Sequence, residues 1–425
     1  MTTTHEISGE QFDALAAGYG GAATVATLRG GQLSKRLHLL QALLNTLEPE
    51  PAEKSGFAEA FALLTEVQDR APDVVAEALL HPFVGRWAGL AVKRARNDMD
   101  ADIGYLRGLA VSAAIRAGVE TAACVPAVDG WALLPSLGRA RIAGPELAAG
   151  ALPADLTAET ADWQPVRTIC VTAGGRELRV QLDDLDPYRH VLDDAVAGRL
   201  PADDVPRWTD TIAGAWHLLA SDHPPDYVDE LAAGLHTVVP LAASSDNHPR
   251  SSSTSQAHGA VSLSTRDDPI WTALLMVHEF QHVKLAALLD MVELYDPNHD
   301  GLYHAPWRRD PRPLGALLHG VYAHLGVVDF WRVHRTVAHE PTAAHFQFAL
   351  WRELTTLAML QLIESDALTA LGRRFVCGAA ATLESWQRES VPSAIATTAR
   401  RAALDNSEAW RNDTGMTPVH GCSPI

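Results

Sequence analysis

The chain contains 425 residues, of which 47% are hydrophobic and 20% charged, as in ordinary globular proteins. Its 52 acidic and 34 basic residues give a formal net charge of −18, and the lack of a long Lys/Arg run argues against a nucleic-acid partner. No apolar run approaches the roughly 18 residues that a membrane span requires. The opening MTTTHEISGEQF lacks the basic and apolar regions of a signal peptide. The four cysteines form no CxxC pair, so we expect reduced thiols and a cytoplasmic protein.

The first part of the chain predicts helices and the middle predicts strands. Region 1–124 is expected to be helical, because apolar residues recur at helical spacing, for example over Leu33–Leu47. Region 125–205 is expected to contain a small β structure. Within it, Val166–Thr172 and Glu177–Leu182 alternate in side-chain character around a Gly-Gly pair, which predicts a β-hairpin.

Region 206–425 is expected to be a helical, metal-binding catalytic region. A serine-rich loop at Ser251–Ser255 leads into Gly259–Thr265, which alternates and predicts a strand. Asp268 is a suitable N-cap for a helix that has proline at its first position and runs to about Met291. We therefore expect an α+β fold that is predominantly helical, with a zincin-like core in which a strand enters the motif helix and an edge strand borders the substrate cleft.

The predicted helix carries the sequence His278-Glu279-Phe280-Gln281-His282, an HExxH motif. Histidines four residues apart lie one turn above the other, so both imidazoles can reach one metal ion. Apolar residues flank the motif on both sides, which indicates a buried helix. Buried polar groups require partners, and a metal ion supplies one for both histidines. Glu279 can then serve a bound water or order the ligands.

The third ligand must come from later in the chain. Position 288 is Leu, which excludes the short metzincin pattern. His319 and His324 lie on one predicted helix, about 140° apart around its axis, so we expect only one of them to face the metal. His324, among apolar neighbours, is the preferred candidate, and Glu353 on the following helix is the alternative.

The loop between the motif and His324 carries Tyr303, Trp307, three arginines and several prolines. One interpretation is a rigid turn with solvated charges. The functional interpretation is a wall of the site in which Arg308 or Arg312 holds a carboxylate through a bidentate pair, with Tyr303 as a further cofactor contact. A peptidase seldom needs such a clamp, whereas an oxygenase with a dicarboxylate cosubstrate does.

Several of these segments together resemble the HExxH-type peptide-modification proteins that accompany ribosomally made peptide natural products. The resemblance spans most of the chain and is weakest in the middle. It is carried by Leu28-Arg29 with Gln32–Arg36, Val277–Leu285, Ala305–Arg308 with Asp310–Pro313, and Gly320–Leu325.

The resemblance implies an Fe(II)- and 2-oxoglutarate-dependent hydroxylase that acts on a side-chain β-carbon of a ribosomally synthesised precursor peptide. It implies that His278, His282 and His324 bind iron and that Glu279 helps order the site. Arg308 or Arg312 would bind a 2-oxoglutarate carboxylate. The implied partners are the precursor peptide, which the strand near Val261 is expected to bind by β-strand addition, and other maturation enzymes of the same pathway.

Two other functions stay open at this point. The first is a zinc metallopeptidase, in which zinc polarises the peptide carbonyl and Glu279 is the general base. The second is a non-catalytic peptide-binding partner of another maturation enzyme. The peptidase predicts two shorter peptides as products, and the binding partner predicts peptide affinity that survives replacement of His278 and His282 by alanine.

Overall fold

A computed structural model describes residues 5–47, 56–97, 99–190, 196–242, 250–264 and 267–416. The fold is α+β, about 59% helical with several small sheets, which confirms the class predicted from the sequence. No helix in these ranges is both long and apolar enough to cross a membrane. Cys422, and Thr265 at the end of a predicted strand, lie outside the described residues. The other three cysteines are free thiols.

Helices dominate both ends of the chain, and several begin with proline, which suits a first position whose N–H needs no partner. Their bounds are α1 (Gly9–Ala16), α2 (Gly21–Thr46), α3 (Phe57–Arg70), α4 (Pro72–Leu80), α5 (Pro82–Ala95), α6 (Gly104–Ala117), α7 (Val205–Asp222), α8 (Pro225–Gly234), α9 (Pro269–Leu289), α10 (Leu314–Val337), α11 (Pro341–Glu364), α12 (Ala370–Gln387) and α13 (Ser393–Thr414).

The first sheet is antiparallel and occupies the early part of the predicted β region. Its spatial order is β4-β1-β2-β3-β5. The strands are β1 (Cys124–Val128), β2 (Trp131–Leu134), β3 (Gly138–Arg141), β4 (Glu146–Ala148) and β5 (Trp163–Pro165). The sheet packs on α6, which makes contacts with both β1 and β2.

The second sheet is mixed, with the spatial order β6-β7-β8-β10-β9. Its strands are β6 (Arg167–Ala173), β7 (Arg176–Leu182), β8 (Thr237–Pro240), β9 (Ser251–Ser252) and β10 (Ala260–Leu263). The predicted hairpin is confirmed as β6 and β7, which pair antiparallel from Arg167↔Leu182 to Ala173↔Arg176. Gly174 and Gly175 both adopt positive φ at its turn, which glycine adopts at little cost.

The predicted strand before the motif helix is present as β10, but it is not the strand available for peptide addition. β10 pairs with β8 in parallel on one side and with β9 antiparallel on the other. Val261 is buried at 1% exposure. The expectation that a peptide pairs with the strand near Val261 is therefore wrong, because its neighbours already occupy its backbone. The edge strand is β9, within the predicted serine-rich loop.

Two apolar cores form, and helix α2 joins them. One core contains the second sheet with α1, α7, α8 and the C-terminal helices, and the other contains α3–α6 with the first sheet. The N-terminal half of α2 buries Val25 and Leu28 in the first of these cores, while Leu40 and Leu43 enter the second. The predicted middle region, 125–205, is consequently shared between the two cores.

Candidate metal centre

Helix α9 carries the motif, and its start matches the sequence signals. The Asp268 carboxylate accepts hydrogen bonds from the backbone N–H groups of Ile270 at 2.9 Å and Trp271 at 3.3 Å, with Pro269 as the first helical residue. This cap satisfies donors that the helix itself leaves free. The histidines of the motif follow in the interior of the helix, where most side chains are buried.

Two polar side chains of α9 fix the helix against the N-terminal segment. Gln281 Nε2 donates to the carbonyl oxygen of Gly18 at 3.0 Å, and Lys284 Nζ donates to the same oxygen at 3.2 Å. Lys284 also forms a buried ion pair with Glu230 at 2.5 Å. These contacts on one side of α9 leave the histidines to face α10 and the cavity.

His278, His282 and His324 lie together between α9 and α10. The ring centre of His278 is 4.9 Å from that of His282 and 5.0 Å from that of His324. Gly326 permits this approach of the helices, since a Cβ at that position would lie 2.9 Å from Gln281 Cγ. The structure thus brings together the three residues predicted as ligands.

Three contacts hold the His324 ring in one orientation: a hydrogen bond from one ring nitrogen and two tryptophan rings. Its Nδ1–H donates to the Gly320 carbonyl oxygen at 2.8 Å, which leaves Nε2 as the nitrogen available to a metal. Trp307 stacks on the ring at 4.1 Å with an interplanar angle of 16°, and the Trp351 ring lies at 4.8 Å. Gly320 makes room for Trp307, because a Cβ there would lie 2.3 Å from Trp307 Cζ2.

His319 is a fourth histidine of the site, which the sequence argument considered but did not prefer. Its ring centre lies 5.7 Å from that of His282, and both His319 and His324 line the same cavity. Both histidines therefore reach the cavity, and the expectation that only one of them faces the metal stays a prediction. The cavity runs along the flank of α10, so residues about 140° apart on the helix both reach it. The signal in the sequence was a second pair of closely spaced histidines, His319 and His324, after the pair in the HExxH motif.

Burial keeps these imidazoles neutral. It lowers the pKa of His278, and it lowers the pKa values of His282 and His324 well below the usual value, with neighbouring histidines adding to the effect. Burial also lowers the pKa of His319 to about 4. A neutral imidazole keeps the lone pair that a metal ion requires, so the site needs no deprotonation near neutral pH.

Glu279 is buried at 3% exposure, and each carboxylate oxygen accepts a serine hydroxyl. Ser251 Oγ donates to Oε1 and Ser253 Oγ donates to Oε2, both at 2.6 Å. Oε1 also lies 3.9 Å from His278 Nε2. The Glu279 carboxylate therefore joins the edge strand β9, through Ser251, and the segment after that strand, through Ser253, to the motif helix. These bonds lie directly beside His278, the first histidine of the motif.

Arg308 and Arg312 lie on the cavity lining, on the loop that the sequence predicted as a wall. A short ladder of β11 (Leu302–Tyr303) and β12 (Arg312–Pro313) closes this loop. Both arginines contact the Asp310 carboxylate, at 3.2 Å and 2.8 Å respectively, and hydrogen bonding by Arg312 is the main cause that lowers the Asp310 pKa. Their side chains are 55% and 35% exposed, so each can turn toward a ligand.

Two further candidates from the sequence lie elsewhere. Tyr303 was expected to contact a cofactor, but its buried hydroxyl bonds to His299 Nε2 at 2.8 Å and to Ser365 at 3.1 Å, and it does not line the cavity. Glu353, the alternative third ligand, lies 4.0 Å from Arg400 and is likewise absent from the lining. Tyr303 supports the arginine loop indirectly, because it pairs with Arg312 in the short ladder that closes the loop.

The donor set fits a metal ion in chemistry and spacing. Two imidazoles on one zinc or iron ion hold their ring centres roughly 5 Å apart, since each metal–nitrogen bond is about 2.1 Å. Among the described residues, however, no three His, Cys, Asp or Glu side chains already converge on one point. The rings of His278 and His282 lie perpendicular to each other, at 88°.

The cavity has a volume of ≈ 560 Å³ and opens to solvent. It is bounded by the serine segment Ser251–Ser255, by α9 and α10, and by the arginine loop. No family model matches the chain, and no curated protein is significantly similar to it. The functional argument therefore depends on the chemistry of this cavity.

Proposed function

We propose that the protein is an Fe(II)- and 2-oxoglutarate-dependent hydroxylase of the HExxH peptide-modification type, acting on a side-chain β-carbon of a ribosomally synthesised precursor peptide. One observation carries the proposal. Four histidines and two arginines line one cavity, while both oxygens of Glu279 accept hydrogen bonds from serine hydroxyls. This combination suits a metal with an anionic cosubstrate better than it suits hydrolysis.

His278, His282 and His324 would hold the iron, with His324 presenting Nε2 because Nδ1 is bonded to Gly320. Bound Fe(II) and 2-oxoglutarate together supply the oxygen activation that converts a C–H bond to C–OH. The chain's part is to bind, orient and shield the reactants. Trp307 and Trp351 favour this, since their contacts with the His324 ring hold it in place.

Arg308 or Arg312 would bind the distal carboxylate of 2-oxoglutarate. A guanidinium pairs with a carboxylate in a bidentate geometry that a lysine cannot reproduce. Both side chains currently share Asp310, so the cosubstrate would displace that carboxylate from one of them. Arg312 is the less exposed of the two and lies on β12, beside α10, which makes it the better placed residue.

The peptide would bind along β9. This strand is antiparallel to β10 and forms the edge of the second sheet, with Ser251 and Ser253 on the cavity lining. An extended peptide can add to such an edge through main-chain hydrogen bonds. An antiparallel edge strand beside a helix that carries HExxH also supports a zincin-like core.

The second candidate is a zinc peptidase, and the position of Glu279 directly beside His278 favours it. In that reaction Glu279 would take a proton from a metal-bound water. Its oxygens would first have to leave Ser251 and Ser253, each of which donates a hydrogen bond to one of them. This requirement makes hydrolysis the less favoured function.

Product analysis separates the two. In the first mixture, the purified protein is incubated with a candidate precursor peptide, Fe(II), 2-oxoglutarate and oxygen. In the second mixture, the protein and the same peptide are incubated with zinc as the only addition. The hydroxylase predicts a gain of one oxygen atom on an intact peptide and formation of succinate, only in the first mixture. Two shorter peptides in the zinc mixture would instead establish the peptidase.

A further inference from the structure

A second cavity lies between the two cores, at the opposite side of the second sheet from β9. Its volume is ≈ 790 Å³. One wall is the outer face of β6 and β7, where Thr168 pairs with Gln181 and Cys170 with Arg179. The facing wall comes from α4 and the residue after it, His81, from Arg116 at the end of α6, and from loops that connect the strands of the first sheet. Clefts between packed units are common positions for ligand sites.

Two arginines of this cavity have no carboxylate partner within the described ranges. Arg116 donates only to the backbone oxygen and hydroxyl of Ser136, at 3.0 and 3.1 Å. Arg179 contacts the thiol of Cys170 at 3.4 Å. Burial lowers the pKa of Arg116, and the nearby Arg179 adds to this effect while Glu77 opposes it. The chain as a whole carries a net charge of −18, so two arginines without an ion-pair partner among the described residues set this cavity apart from the average surface.

The nearby acidic groups are already engaged. Glu77 pairs with Arg29 at 3.0 Å, and Asp184 pairs with Arg167 at 3.1 Å and Arg199 at 2.6 Å. Arg167, although it also lines the cavity, is therefore neutralised. The free positive charge is that of Arg116 and Arg179.

A buried and unpartnered histidine also lines this cavity. His81 is 1% exposed, and neither ring nitrogen has a hydrogen-bond partner in the described part of the chain. Its Nε2 lies 4.0 Å from the Asp183 carboxylate, too far for a hydrogen bond. Burial lowers the pKa of His81, and the Gln181 side chain opposes this by raising it. Gln181 Oε1 also has no hydrogen-bond partner among the described residues. Buried polar atoms are rarely left so, unless a ligand or water completes them.

We propose that this cavity binds an oxyanion, with Arg116 and Arg179 as the charge partners and His81 as a neutral hydrogen-bond donor. Carboxylates and phosphates share the required oxygen geometry, and guanidinium groups bind both through paired N–H donors. The source is either a free anion or an acidic side chain of a peptide. The site is separate from the histidine cavity and does not depend on the proposed hydroxylation.

Calorimetric titration tests the site with two probes: inorganic phosphate, and a blocked peptide of alternating glutamate and alanine. Arg116→Gln and Arg179→Gln should each weaken the binding of any responding probe by about ten-fold, because each removes a charged hydrogen-bonding group. Arg388→Gln is the matched control, since it removes one charge at an exposed site paired with Glu384. His282→Ala should bind as the parent does, which separates this site from the metal centre.

The two probes distinguish the sources. If phosphate binds at least as tightly as the peptide, the natural ligand is assigned as a free anion. If the peptide binds more tightly than phosphate, the ligand is assigned as an acidic peptide segment. Either result supports the site if both arginine variants lose affinity while their melting temperatures are unchanged. The proposal is overturned if neither probe binds, or if Arg388→Gln weakens binding as much as the cavity variants do.

Discussion

Ser253 Oγ donates to Glu279 Oε2 at 2.6 Å, and this bond joins the segment after the edge strand to the motif helix. Ser251 does the same for the other oxygen. The carboxylate links the edge strand to the motif helix, so its charge is satisfied before any water binds. In the proposed function, Glu279 therefore shapes the cavity and is not a catalytic base.

Glu279→Gln should therefore preserve most of the hydroxylation. The amide can still accept one serine hydroxyl and donate to the other, so the edge strand stays in place. We expect unchanged Fe(II) binding and hydroxylation within about ten-fold of the parent, measured by succinate formation. Loss of a general base costs typically 10²–10⁴-fold, so a loss of that size in peptide cleavage would favour the peptidase.

His324→Ala should abolish Fe(II) binding, whereas His319→Ala should weaken it far less. Only His324 has a bonded Nδ1 that directs its other nitrogen, and residues that only support ligands typically change metal affinity 10–100-fold. Anaerobic Fe(II) titration of both variants measures the difference. Equal loss in the two would show that the fourth histidine is a ligand and that the assignment to His324 is incomplete.

Gly320→Ala should disturb the site through Trp307. The added Cβ would lie 2.3 Å from Trp307 Cζ2 and push the indole off His324. We expect about 1–3 kcal/mol lower stability, the usual cost of overpacking, together with weaker metal binding. Gly89→Ala is the control, because its Cβ would meet nothing within 4 Å on helix α5. That variant should be as stable as the parent or slightly more so.

Arg312→Gln should raise the Kd for 2-oxoglutarate by about ten-fold or more, because it removes a bidentate carboxylate partner. Arg309→Gln is a matched control on the same loop, and Arg309 does not line the cavity. Isothermal titration of the anaerobic Fe(II) protein gives both constants. If Arg312→Gln binds 2-oxoglutarate normally and Arg308→Gln binds it more weakly, Arg308 is the residue that binds the carboxylate.

Folding stability should fall in acid partly because of His223, away from the metal centre. Burial is the main cause that lowers its pKa to about 3, with His334 and Arg332 adding to it, and the ring stacks on Phe330 at 4.8 Å. The unfolded chain takes up this proton near pH 6.5, so the stability is complete above that pH. It declines as the pH falls from 6.5 toward 3, by up to about 1.4 kcal/mol per pH unit.

His223→Phe keeps the stacked ring and removes the titration. Urea unfolding at several pH values should show a shallower acid loss in this variant than in the parent, by about one proton's worth of slope. Parallel slopes in the two proteins would mean that folding does not lower the pKa of His223.

The features that the sequence predicts correctly are local ones. The cap at Asp268 and the proline after it define the start of α9, and the Gly174-Gly175 pair defines the hairpin turn. Both follow from the chemistry of a few consecutive residues. The approach of His324 to His278 was also anticipated, since an apolar helix carrying a histidine needs a partner for it.

What the sequence did not reveal depends on distant segments. β10 was recognised as a strand, but its position inside the sheet is decided by β8 and β9, which flank it from other parts of the chain. The serine-rich loop was noted without a partner, because its bonds to Glu279 span more than 25 residues. His319 was set aside on helix geometry that ignored the width of the cavity.

The most direct test of the central claim is anaerobic addition of Fe(II) and then 2-oxoglutarate to the purified protein. The account predicts a visible charge-transfer band that saturates at one iron per chain and is lost in His282→Ala. Arg388→Gln should retain it. A protein that binds zinc, shows no band at any excess of Fe(II) and 2-oxoglutarate, and cleaves peptide would contradict the account.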